Sequence, residues 1–127
     1  MTGERPRIDA ARAVELLREA VAERGADYLD PGAAFDGCEY VKDGRSSCMV
    51  GVALHKGGVA IRTLSHLFGE IREALDELVM LRVDIGVEIT EEAVGVFEAA
   101  QSVQDLGGTW GNALVAAERF AQSGVPS

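Results

Sequence analysis

Three stretches of this sequence repeat apolar residues at helical spacing, and each is bracketed by a capping side chain before it and a glycine after it. The first runs from Asp9 to Arg24 and stops at Gly25, with Val14, Leu17 and Val21 as its stripe and Leu16 and Ala20 beside them. Arg12, Glu15, Arg18, Glu19 and Glu23 fill its wet face. The second opens at Thr90, carries Glu91 and Glu92 in a first turn where the helix dipole favours them, and ends at Gly107-Gly108. It turns Val94, Phe97, Ala100 and Val103 inward. The third is capped by Thr109 and runs from Trp110 to about Gln122, before Gly124. A chain with three such stripes must pack helix against helix to bury them.

The segments between are shorter. Cys38-Glu39-Tyr40-Val41 alternates in a β-prone way, and Lys42-Asp43-Gly44-Arg45 supplies the Asp-Gly that favours a tight hairpin. The returning arm, Ser46-Ser47-Cys48, leads into Met49 to Leu54, a buried helix that Ser46 or Ser47 would cap and that Gly57-Gly58 would end. Thr63 is placed to cap a short helix through Leu67. Ile71, Leu75, Leu78, Val79 and Leu81 form one more amphipathic run, and Val83 to Val87 reads as a connection. The expected fold is mainly α: about five helices, two of them short, with one small β-hairpin near residues 38–48. It becomes α+β if Ala26 to Leu29 adds a strand. No repeat, low-complexity tract or linker divides the 127 residues, so a single globular domain is expected, with 1–7 and 124–127 flexible.

Apolar residues are 47 % and charged residues 26 % of the chain, which suits a packed core rather than disorder. No apolar run is long enough to cross a bilayer, and none follows the polar start. Two cysteines in such a chain favour free thiols and a cytoplasmic setting. The net charge of −9 is unevenly spread: residues 70–105 carry ten acids against Arg72 and Arg82, a net of −8. That excess argues against direct nucleic-acid binding, which needs a basic face, and no membrane partner is expected. It suits solubility or a basic protein partner, for which Glu73, Asp76 and Glu77 are the candidate contacts.

Cys48 is the residue with the most chemistry in it. At a helix start its thiol would feel the dipole and free backbone N–H groups, which favour the thiolate a nucleophile needs. The base would be His66 or His55, yet His55 lies two turns along the same helix, roughly 10 Å away along the axis. A core cysteine is the competing expectation. Cys38, Cys48, His55 and His66 are zinc-ligand types, but their spacing matches no close-paired ligand pattern, so no metal is expected. A Cys38–Cys48 disulfide meets the objection that a two-residue turn sets Cys38 opposite Met49, so a reduced pair is expected. Phosphate-binding glycine signatures are missing and no cofactor is implied. Gln101, Gln104, Asp105, Thr109 and Trp110 gather where two helices meet. They suit a polar joint that sets the inter-helix angle, with Trp110 as a partner anchor in the other reading.

These last blocks carry a resemblance. Tyr40-Val41, Asp43-Gly44 and Ser47-Cys48, followed by Met49-Val50-Gly51, then Gln104-Asp105 and Thr109-Trp110 and a closing alanine-rich helix, resemble a group of small uncharacterised proteins of actinobacteria and their phages. The resemblance covers roughly residues 26–60 and 96–121. It implies a source and a cytoplasmic setting rather than an activity, and no catalytic residue comes with it. The expected function is a small acidic protein-binding or regulatory module, phage-encoded and host-directed in the sense the resemblance implies. The alternative is a cysteine-dependent acyl-transfer or hydrolytic enzyme using Cys48.

Overall fold

The computed structural model describes residues 6–28, 40–42, 45–46, 48–67, 71–80 and 85–123. Their architecture is mainly helical with two small β elements. In chain order they are β1 (Arg7–Ile8), α1 (Ala10–Arg24), β2 (Val41–Lys42), β3 (Arg45–Ser46), α2 (Met49–Lys56), α3 (Ile61–Leu64), α4 (Ile71–Met80), β4 (Glu88–Ile89), α5 (Glu91–Asp105) and α6 (Trp110–Ser123).

The three long helices form where their stripes and caps place them. The Arg12 N–H donates to Asp9 Oδ1 at 2.8 Å, and Gly25, at φ 99°, takes the left-handed conformation that ends α1. The Ala93 N–H donates to Thr90 Oγ1 and the Asn112 N–H to Thr109 Oγ1, both at 3.1 Å. α1 packs against α2, α5 and α6, and α5 and α6 pack along one another; α4 lies on α5. Leu16, Leu17, Met49, Leu54, Phe97 and Trp110 are among the largest side chains sealed in the resulting core. Gly51 of α2 is pressed against the Tyr40 backbone, where any Cβ would collide with the carbonyl.

β1 and β4 are the element that local reading missed. The two pair in parallel, Arg7 with Glu88 and Ile8 with Ile89, so Arg7 belongs to the folded body rather than to a flexible end. The Glu88 N–H donates to the Pro6 carbonyl at 2.9 Å and the Thr90 N–H to the Ile8 carbonyl at 3.0 Å. Each strand runs straight into a cap, Asp9 after Ile8 and Thr90 after Ile89, so the ladder sets the starts of α1 and α5 side by side.

Other expectations change in detail. The hairpin is present as the two antiparallel residue pairs Val41↔Ser46 and Lys42↔Arg45. Cys48, not Ser46 or Ser47, is the N-cap of α2. Thr63 lies inside α3, whose N-cap is Ala60 with no side-chain bond. In α4 the buried positions are Ile71, Ala74 and Leu78; Val79 is 74 % exposed because the 3.6-residue period carries it off the stripe. Ala26 to Tyr28 is no strand: the Ala26 and Tyr28 carbonyls instead accept the Gly111 and Trp110 N–H groups at 2.8 and 3.0 Å. Those bonds satisfy the first two orphan donors of α6. Leu29, Cys38, Asp43, Gly44, Ser47, Leu81 and 124–127 lie outside the described residues.

Candidate functional site

Cys48 ends the nucleophile reading. Its side chain is fully buried and its sulfur is disulfide-bonded, so there is no thiol to ionise. The chain's other cysteine is Cys38, which lies outside the described residues. The expected reduced pair is therefore corrected. The β2–β3 ladder stops at Val41↔Ser46, and Cys48 has already left it as the cap of α2, so strand register does not govern where the sulfur points. The same sulfur accepts the Gly51 N–H at 3.4 Å. A disulfide also withdraws the free-thiol argument for a reducing compartment.

The proposed bases have other surroundings. His55 Nδ1 lies 3.1 Å from the Val59 carbonyl, which only accepts, so that nitrogen carries the proton and ties the turn after α2 back to the helix. His66 is exposed and lines a cleft described below. Among the described residues no group of three His, Cys, Asp or Glu side chains is placed to hold a metal ion, and no helix is long and apolar enough to cross a membrane.

The glutamines of α5 are where buried polar chemistry sits. Gln101 and Gln104 are three apart, hence on one helix face, and both are almost fully buried. Gln101 Oε1 accepts the backbone N–H of Ile71 at 2.8 Å, the first residue of α4. Its Nε2 donates to the Tyr40 hydroxyl at 3.1 Å. Gln104 Oε1 accepts the N–H of Met49 at 3.0 Å, the first residue of α2. Two side chains of one helix thus cap two other helices from the side, supplying acceptors for N–H groups that a helix start leaves without an intrahelical partner. This is scaffold, and it accounts for the polar joint expected around Gln101 and Gln104.

Trp110 belongs to that scaffold as well. It is fully buried, edge-on to Tyr28 at 4.9 Å between ring centroids, with the Arg24 guanidinium 5.3 Å from its ring. A partner anchor must reach a partner, so the anchor reading is corrected. Its indole N–H has no hydrogen-bond partner among the described residues.

The acids of residues 70–105 divide by helix. Arg72 on α4 binds Glu91 at 2.8 Å and Glu98 at 3.1 Å on α5, and these two acceptors, Glu91 first, raise the guanidinium pKa further above its ordinary value. Glu73, Asp76 and Glu77 fall at i, i+3 and i+4 on the exposed face of α4, and none has an ion-pair partner among the described residues. Beside them Val79 and Met80 are 74 % and 83 % exposed. The structure therefore gathers the three acids expected to touch a partner and adds two apolar side chains that were read as core or passed over. Glu70 and Asp84 lie outside the described residues.

The cleft is the other concavity of note. It holds about 550 Å³ and lies between α3, with the turn before it, and the segment leading to β4; Gly58, Arg62, Thr63, His66, Ile85 and Gly86 line it. No signal in the sequence pointed to it, because its walls come from two segments, residues 58–66 and 85–86, that are separated along the chain.

No protein-family model, no curated protein and no solved structure matches the chain.

Proposed function

We propose that this protein is a small acidic binding or regulatory module that presents the exposed face of α4 to a basic protein partner. One observation carries the reading: Glu73, Asp76 and Glu77 share a helix face, stand without ion-pair partners among the described residues, and adjoin the exposed Val79 and Met80. An apolar pair beside charges of one sign is the composition of a docking surface, in which burial supplies affinity and charge supplies steering. Isolated apolar residues on a surface are ordinary; two successive ones at the end of an acidic face are what favours an interface. The likeness of the Ser47-Cys48 and Thr109-Trp110 blocks to small actinobacterial and phage proteins supports a partner in a host cell, and with it a phage origin.

The test compares three immobilised proteins in an actinobacterial cell extract: the native chain, the triple variant Glu73→Lys, Asp76→Lys, Glu77→Lys, and the pair Val79→Ser, Met80→Ser. The reading expects a protein held by the native chain, released by added salt, and lost from both variants. The same proteins held equally by all three would sink it.

A further inference from the structure

We propose that the cleft beside α3 is a binding site for a small organic anion, with Arg62 as the residue that holds its oxyanion head. The charge balance of the molecule sets Arg62 apart from most of its described cations. Acids outnumber bases by 21 to 12, so a cation readily finds a carboxylate. Arg12, Arg18, Arg24, Lys56 and Arg72 all do so. Arg62 has no ion-pair partner among the described residues and lines the cleft instead.

Its neighbours are donors. His66 follows Arg62 by four residues and Thr63 lies between, so the guanidinium, imidazole and hydroxyl come from one turn of chain. That turn is fastened: the Ser65 hydroxyl donates to the Arg62 carbonyl at 2.7 Å and the His66 N–H to the Thr63 carbonyl at 3.1 Å. Gly58, in the turn before α3, and Gly86, in the segment leading to β4, are both in the left-handed region at φ 112° and 81°; a Cβ built on Gly86 would come 3.9 Å from the Gly58 carbonyl. Ala60 and Ile85 give the wall an apolar part. A space of about 550 Å³ lies within the range that small-molecule sites occupy. An arginine fork with a hydroxyl and an imidazole suits a phosphate monoester or a carboxylate, and the apolar wall suits the body behind that head. The site uses no residue of the α4 face, so the two proposals stand or fall separately.

The experiment is an amide NMR titration of the full chain with inorganic phosphate, phenyl phosphate and benzoate. Shifts at Gly58, Thr63, His66 and Gly86 that saturate below on the order of 10 mM are expected with phenyl phosphate or benzoate, and whichever does so identifies the head. Arg62→Gln should weaken that binding about tenfold, and Thr63→Val less, because charge-assisted hydrogen bonds are the stronger ones. Arg7→Gln is the control: Arg7 also lacks an ion-pair partner among the described residues but sits on β1 and does not line the cleft, so its loss should change nothing. No saturable shift with any probe, or equal binding by Arg62→Gln, would overturn the site. An unchanged thermal midpoint in Arg62→Gln separates lost binding from lost folding.

Discussion

α5 and α4 each carry polar side chains on one face at helical spacing, and the two faces do opposite things. On α5, Gln101 and Gln104 are sealed in the core and bonded to the first N–H groups of α4 and α2. On α4, Glu73, Asp76 and Glu77 stand in water with no ion pair among the described residues. The contrast teaches that polarity and spacing do not separate scaffold from surface. What separates them is whether the group must find a partner: a buried amide left unbonded costs about 1–3 kcal/mol, whereas a hydrated carboxylate already has its partners in water.

That contrast can be broken from the buried side first. Gln101→Ala should have the largest effect, about 3 kcal/mol of stability lost in a denaturant melt, because it removes the acceptor of the Ile71 N–H and a donor to the Tyr40 hydroxyl and leaves a cavity. A loss within about 0.5 kcal/mol would mean that water replaces the amide and that the joint is not structural. Cys48→Ala should follow at about 2–3 kcal/mol, removing the disulfide and the acceptor of the Gly51 N–H together. Added reductant should destabilise the native chain by a similar amount and leave the variant unchanged.

Thr90→Ala tests an ordinary cap against the glutamines' lateral ones. It removes a single bond to the Ala93 N–H at a half-buried position and should cost about 1 kcal/mol. A cost equal to that of Gln101→Ala would erase the distinction between capping from within a helix and capping from another. The smallest stability change belongs to the α4 face: Glu73→Lys, Asp76→Lys and Glu77→Lys together should shift folding by no more than about 0.5 kcal/mol. Their effect should fall on partner retention, and a large loss of stability would instead make these acids part of the scaffold.

The starts of the three long helices were legible in the sequence because their causes are local. Asp9, Thr90 and Thr109 each bond a backbone N–H three residues on, and Gly25 takes the conformation that a β-carbon disfavours. The α4 stripe was legible only in part. Val79 is as apolar as Leu78, and one residue of rotation places the first at 74 % exposure and the second at 1 %. Mainly helical architecture, the hairpin and the segregation of the acids all follow from neighbours within a few positions along the chain.

Tertiary structure decided the rest, and each case joins residues far apart. β1 meets β4 across eighty residues, a pairing of two-residue strands too short to leave a pattern. Cys48 was legible both as a core cysteine and as a thiolate at a helix start, and packing decided for the core by burying the sulfur in a disulfide. Trp110 had the composition of an anchor and became core, since Tyr28 and Arg24 of another segment enclose it. The cleft with Arg62 exists only where α3 and the approach to β4 come together. Short-range hydrogen bonds and periodicity are written residue by residue, whereas burial depends on which distant surface arrives, and that is settled only when the whole chain packs.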